Sequence, residues 1–519
     1  MFENLEEKRV LLYAIGIKLM KKYIGLVFAG ALVSGCTVTP DPLTLDQLSN
    51  KSSALLQEYT ADQEAVSQPI SLYEAMARAL KYNLDYKVEV YEEALRSSES
   101  SLANLDMLPD LVASAGFSDR DNFSGSRSSE LLGSNTVGEQ SLVPSTSSDR
   151  DLVTSDLELS WDVLDFGLSY VRAKQRADAV LIANERKRKV AGRIIEEVRT
   201  TYWRAVSAER LVTKLSNLES DIAEALTASD ESFRQKKTSP LSALTYKREL
   251  LDIQREIQTM NNELFVAKRQ LAALMNISPS TPFTLMVPAR DANVKALGID
   301  PEKMVSVALV NRPEIREISY EQRISEKEAT SALLQLFPNL RLFGGFNYNS
   351  NDFLFNNDWA SWGAQASWNA FDLFRYSGIK RSNEIEKELL RQRSLALTMA
   401  VVTQVHVSAS RYEIARQRLV TMRDYFDVSL NIMDQIDSGY KTRNVSHQNF
   451  VREKMNTIVA EAQYDIAQAD LQNAYANVYT SVGQDTFGNI NTSTSSVEEL
   501  AGHLQTHWEK LSSQFLAQN

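Results

Sequence analysis

Two kinds of hydrophobic spacing alternate along the chain. Residues 71–107 and 301–336 carry apolar side chains at helical spacing, and the runs stop at Leu108-Pro109 and Phe337-Pro338. Proline disfavours helical backbone in the residue before it, so a helix is predicted to end at each place. Period-2 segments come next. Within 153–163, Leu157, Leu159, Trp161 and Val163 alternate with Asp156, Glu158, Ser160 and Asp162. Within 361–370, Trp362, Ala364, Ala366, Trp368 and Ala370 alternate with Ser361, Gly363, Gln365, Ser367 and Asn369. Segments 111–118 and 340–348 alternate less cleanly, the second placing Leu340, Leu342, Phe346 and Tyr348 on one face. Four strands with one apolar face each are predicted. Such alternation suits a half-buried sheet and a membrane-barrel wall equally. Trp161, Trp359, Trp362 and Trp368 sit in or beside these strands, where a barrel wall carries interfacial aromatics.

Long helical stretches beyond the strands tilt the balance toward the barrel. No proline occurs between 145 and 239 or after 338, and residues 168–236 and 376–437 are helix-forming throughout. At about 1.5 Å per residue, each helix would reach roughly 90–100 Å. In the second, Ile385, Leu389, Ala396, Met399, Val402, Val405, Ala409, Tyr412, Ala415, Leu419, Met422, Phe426, Met433 and Ile436 form an apolar stripe, read as core. The turns at 236–240 and 438–444 lead into returning helices over 241–276 and 445–482.

The two series are copies of one unit. At an offset of 229, Ala79-Leu80 matches Ala308-Leu309, Tyr91 matches Tyr320, Pro109 matches Pro338, and Gly116-Phe117 matches Gly345-Phe346. At an offset of 207, Ser160-Trp161 matches Ser367-Trp368. The shrinking offset marks an insertion in the first copy between Phe117 and Trp161, rich in Ser, Asn and Gly and read as an exposed loop. The chain is expected to divide into a leader (1–35, with Met20 the expected start), an N-terminal segment (36–70) that the leader's resemblance described next implies is lipidated, repeat 1 (71–299), repeat 2 (300–483) and a C-terminal segment (484–519).

The signal reading rests on residues 20–36. Two lysines follow Met20, an apolar run covers Tyr23 to Val33, and Val33-Ser34-Gly35-Cys36 contains the chain's one cysteine. The run is too short to span a bilayer. Val33 to Cys36 resembles the bacterial lipobox, which implies acylation of Cys36; Thr37 in the next position implies sorting to the outer membrane. The net charge of −11 leaves no basic surplus for binding nucleic acid.

The assembled pattern resembles the TolC family of outer-membrane efflux proteins over residues 70–485. Ala79-Leu80 with Asn83, Leu108-Pro109, Ser160-Trp161 through Asp165-Phe166-Gly167, Phe337-Pro338, Ser367-Trp368 and Phe371-Asp372 carry the resemblance. It implies an α+β membrane protein forming a homotrimer. Each protomer would give four strands to a twelve-stranded outer-membrane β-barrel, continued by a coiled-coil α-helical tunnel across the periplasm. The implied function is a passive export duct of a tripartite efflux or type I secretion system. Its partners would be a periplasmic adaptor, an inner-membrane transporter and outer-membrane lipid. Thr238, Ser239 and Pro240, with Gly439, Lys441 and Thr442, would form the periplasmic tips that dock the adaptor. Positions that are often acidic in the family fall on Val445 and Gln448, so Asp434 and Asp437 are the alternative aperture ring.

No enzyme is expected. Walker, GxGxxG and GxSxG motifs are absent from the sequence. His503 and His507 have helical metal-ligand spacing but no carboxylate partner in a recognised motif, so neither a metal nor a cofactor is expected. A lipid-anchored coiled-coil scaffold or adhesin without a pore is the alternative, and it would not need matching strand pairs in both copies. A periplasmic adaptor would show one helical hairpin, and this chain shows two.

Overall fold

A computed structural model describes residues 40–517, apart from 60, 62, 67, 236–238, 279, 291–299, 485–486 and 489–494. The leader, Cys36 and Thr238 therefore lie outside the described residues. Two units are distinguished, Met1–Asp62 and Gln63–Asn519. In the first, α1 (Leu45–Glu58) opens with a capping box between Thr44 and Gln47, and none of its side chains is buried.

In the second unit, repeat 1 begins with α2 (Leu72–Tyr82) and α3 (Leu84–Leu105). Strand β1 (Asp110–Asp119), four short strands β2–β5 between Gly125 and Thr146, and β6 (Asp151–Asp162) come after them. The repeat closes with α4 (Val163–Arg234) and α5 (Pro240–Leu274). Repeat 2 runs α6 (Pro301–Asn311), α7 (Pro313–Leu334), β7 (Asn339–Asn349), β8 (Asp358–Ser367), α8 (Tyr376–Lys441) and α9 (His447–Ser481). A last helix, α10 (Val497–Ala517), ends the chain.

The helices expected over 71–107 and 301–336 are each broken in two. Asn83 has extended backbone, and its side chain accepts from the Tyr86 N–H at 3.2 Å, so it ends α2 and caps α3. Arg312 takes nearly the same backbone angles before Pro313, the first residue of α7. The two breaks are related by the same offset of 229 that relates the repeats. Apolar periodicity runs through both positions, which is why spacing alone does not reveal them.

The long helices form a layer. Next to the strands, α3 packs on α4, α4 on α7, and α7 on α8; in the far half, α5 packs on α4, α4 on α9, and α9 on α8. The through-running helices α4 and α8 hold 72 and 66 residues, roughly 100 Å each. Leu211, Leu215, Leu218 and Ile222 of α4 are buried against Leu250, Ile253 and Ile257 of α5 and Val451 and Ile458 of α9. From the stripe expected on α8, Val405, Tyr412, Ala415, Leu419 and Phe426 are core, packed with Tyr464, Leu471 and Tyr479 of α9. Ile385, Leu389 and Met399 of that stripe are exposed. Residues Val497, Leu500 and Leu504 fasten α10 to the core around α2.

The main sheet has the order β1-β6-β7-β8, antiparallel throughout. Strand β8 stops at Ser367 rather than reaching 370. Beyond it the Trp368 indole N–H donates to the Leu336 carbonyl at 3.0 Å, and Asn369 caps a 3-10 turn over Ala370–Arg375. The insertion expected to be an exposed loop folds into a hairpin of β3 (Ser129–Gly133) with β4 (Thr136–Gln140), enclosed by a two-residue ladder of β2 (Gly125–Ser126) with β5 (Ser145–Thr146).

Candidate functional site: an inverted sheet and two hairpin tips

The two inner strands of the sheet leave their apolar face uncovered, the reverse of a sheet in a protein in water. Along β6, Leu157 is 43% and Leu159 50% exposed, whereas Ser160 between Leu159 and Trp161 is 7% exposed. Strand β7 repeats the pattern: Leu340, Leu342, Phe346 and Tyr348 are exposed, and Arg341 and Asn347 are half-buried. Register aligns the uncovered apolar side chains, with Leu157 beside Ala113 and Phe346, and Trp161 beside Leu342. On the other face polar side chains bond one another. Arg341 donates to Glu158 at 2.7 Å, Asn339 to Asp162 at 2.9 Å and Ser114 to Asp156 at 3.3 Å. A sheet in a water-soluble domain buries its apolar face; a barrel wall in lipid exposes it. The four strands hold 10, 12, 11 and 10 residues, close to the 9–11 or so that a tilted strand needs to cross a bilayer. Both β1 and β8 leave a row of backbone groups unpaired, a cost of several kcal/mol for each group in hydrocarbon. Among the described residues no helix is long and apolar enough to cross a membrane.

The four tryptophans do not share one role. Trp161 lies on the apolar face at the helix end of β6 and meets Phe166 edge-on at 5.4 Å. Trp362 is on the apolar face, and Trp368 lies just past the end of β8. Trp359 falls on the opposite, polar face by strand parity, paired with Asn347. It is therefore not one of the aromatics on the apolar side.

The second tip is a tightly built turn. Asn444 N–H donates to the Gly439 carbonyl at 2.8 Å, and Arg443 takes a left-handed φ of 62°. Gly439 is required here, since a Cβ would stand 2.5 Å from the Val445 Cγ2. Val445 thus packs inside the turn. Tyr440 stacks on Phe450 across the hairpin, ring centroids 4.5 Å apart. Asp437 pairs with Lys441, and this contact raises the Lys441 pKa. Asp434 and Thr442 are exposed and Gln448 is half-buried. At the first tip, Ser239 accepts from the Ser242 N–H at 3.2 Å ahead of Pro240, the first residue of α5.

Two features were not anticipated from the sequence. On α9, Glu461 and Asp465 are buried and face Lys214 and Arg210 of α4, while Arg290 reaches both acids at 3.0 and 2.7 Å. Burial alone would lower the Arg290 pKa, but hydrogen bonds to Asp465 and Glu461 hold it above its ordinary value. The matched i,i+4 spacing of Arg210 with Lys214 and of Glu461 with Asp465 was the available signal. The second feature is Arg199 of α4, fully buried and 4.4 Å from the Trp508 ring of α10. Burial pushes its pKa down to about 10, so it stays charged at neutral pH, held by the aromatic face.

Comparison with solved structures places this architecture. The chain superposes on the outer-membrane channel OprN with a TM-score of 0.61 at 18% identity, over 86% of this chain and 99% of that one. With the CmeC outer membrane channel of Campylobacter jejuni the TM-score is 0.62 at 15% identity, covering 90% and 97%. With the open state of the MtrE outer membrane channel of Neisseria gonorrhoeae it is 0.60 at 16% identity, covering 79% and 88%. The fold is therefore that of these outer-membrane channels, over nearly their whole length. No protein-family model and no curated protein matches the sequence.

Proposed function

We propose that the chain is a member of the TolC family and serves as a passive outer-membrane export duct. The observation that carries this is the inverted sheet: a four-stranded wall, apolar side uncovered and polar side internally paired, open at β1 and β8. Three copies supply twelve strands, and joining β1 of each subunit to β8 of the next removes every edge. The helix layers then continue the wall as a tunnel into the periplasm, where an adaptor and an inner-membrane transporter engage the tips at Ser239-Pro240 and Gly439 to Thr442. Cys36 is the acylated mature N-terminus. A pore-free scaffold has no use for the inverted sheet.

Native mass spectrometry in detergent and planar-bilayer recordings test this reading. A trimer with a steady conductance is expected; a monomer, or a trimer that carries no current, overturns it. The same recordings test the aperture. Carboxylates gathered near a three-fold axis favour cations, so Asp434→Ala with Asp437→Ala should lower cation selectivity. Unchanged selectivity removes those two residues from the aperture and leaves half-buried Val445 and Gln448 as the next pair to test there, as an uncharged constriction.

A further inference from the structure

A cleft of about 460 Å³ lies between α7 and α8, close under the sheet, within the size range of small-molecule sites. Its upper end is apolar, formed by Leu333, Ala329 and Tyr376. Lys380 and Glu384 stand one and two helical turns below Tyr376, their nearest N···O distance 4.0 Å and both side chains more than half exposed. Such a loose pair is free to turn toward a ligand carrying the same two charges.

The cleft opens on the lipid side. Trp161 shares the apolar face of β6 with Leu157 and Leu159, and its partner Phe166 is followed one turn later on α4 by Tyr170. Arg186, sixteen residues beyond Tyr170, points about 160° away from it, at roughly 100° per residue. Arg186 bonds Glu317 of α7 at 2.6 Å, which marks that inner side. Glu326, nine residues after Glu317, lies about 180° round α7 from it and lines the cleft. The cleft therefore continues the side on which the sheet is uncovered. Depth agrees. Tyr376 is the first residue of α8, and Lys380 lies about 6 Å further along the helix. A headgroup layer occupies roughly 5–8 Å beyond each side of the hydrocarbon.

Resting on the duct reading above, we infer that this cleft binds a zwitterionic phospholipid of the inner leaflet, its phosphate on Lys380, its ammonium on Glu384 and an acyl chain against Leu333 and Tyr376. Charge complementarity selects this occupant. The lining sets Lys380, Lys387 and Arg391 beside Glu326 and Glu384, which suits a ligand carrying both signs of charge, and the acyl group proposed at Cys36 offers neither.

The test uses the full-length trimer purified in mild detergent from outer membranes. Mass spectrometry should find phosphatidylethanolamine retained with the wild type, and a photo-crosslinking residue at Tyr376 should capture it. Lys380→Glu and, separately, Glu384→Lys should each weaken retention roughly tenfold, as loss of one charge-assisted contact does, while conductance stays at the wild-type level. Capture of the protein's own N-terminal acyl chain, or of lipid A in place of phospholipid, overturns the inference. So does retention by both variants at the wild-type level. A wild type that conducts but holds no phospholipid removes the site alone; one that does not conduct removes the duct reading and the site with it.

Discussion

A charge placed on the uncovered face of the sheet separates a barrel wall from a water-facing sheet. Leu157 is the seventh of twelve residues in β6, five from the helix-side end at Asp162. At about 3.4 Å per residue and a tilt near 40°, it sits roughly 13 Å from that rim, half the height of a 25 Å or so apolar band. Leu340 is the second residue of β7 and belongs to the rim. Arginine on the lipid face costs about 2–4 kcal/mol at the bilayer midplane and about 0–1 near the interface. Leu157→Arg should therefore destabilise the inserted protein by about 2–4 kcal/mol per subunit, and Leu340→Arg by under about 1. On a surface facing water both changes would fall within about 0.5 kcal/mol. Urea titration of protein reconstituted in vesicles, followed by loss of the heat-modifiable folded band, reads the difference. Equal effects at the two positions would refute the membrane assignment of this face.

Contacts in the helix layer and at its tip set two further outcomes. Gly439→Ala forces a methyl into Val445 and should cost about 1–3 kcal/mol, with Val445→Ala restoring most of the loss in the double variant, as thermal melts would record. Asp178 of α4 is half of a second ion cluster: burial would raise its pKa, but hydrogen bonds from Arg323 and Lys327 of α7 prevail and hold it below its ordinary 3.8. The depressed value means this stabilisation is full above about pH 4 and is lost as pH falls through the folded pKa, so the urea midpoint of Asp178→Asn should vary less with acid below that point than the wild type's.

Most of the architecture was legible because it depends on patterns longer than any single residue. Prolines at 109 and 338 bounded the first helices, and proline-free runs after 145 and 338 announced α4 and α8. Alternation located four strands but could not say which face was covered, because period 2 is the same in lipid and in water. Only the exposure of Leu157 against that of Ser160 decides it. Breaks set by one residue stayed hidden. Asn83 interrupts a continuous apolar pattern with a side-chain cap, and Trp368 leaves strand β8 to bond Leu336 while its parity still reads as strand. The tip was located, but its aperture was not. Val445, one of the aperture candidates, is half-buried beside Gly439, a contact that needs the turn's three-dimensional path.

The sheet and the helix layer have the same two edges, and this gives the trimer its sharpest test. Strand β1 follows α3 in the chain, and β8 precedes α8, so the end members of both layers come from the same two stretches. On α3, Leu84, Val88, Tyr91, Leu95, Leu102 and Leu105 are all exposed, at the three- and four-residue spacing that marks a coiled-coil seam apart from Ser98 at the position between Leu95 and Leu102. On α8, Ile385, Met399 and Ile414 are exposed as well. In the proposed trimer, one rotation that pairs β1 with a neighbour's β8 would also bring α3 to that neighbour's α8, so hydrogen bonding in lipid and apolar burial along the helices would be met by a single symmetry operation. A carboxylate in the α3 seam should therefore weaken assembly without touching the protomer's own core. Leu95→Asp places a charge at a position 51% exposed in the protomer that the proposed trimer would bury, where an unpaired charge costs several kcal/mol per site. Native mass spectrometry should show monomer replacing trimer, with helical content by circular dichroism unchanged. A Leu95→Asp trimer as robust as the wild type would mean that this stripe faces water or another partner, and that the strands alone hold the subunits together.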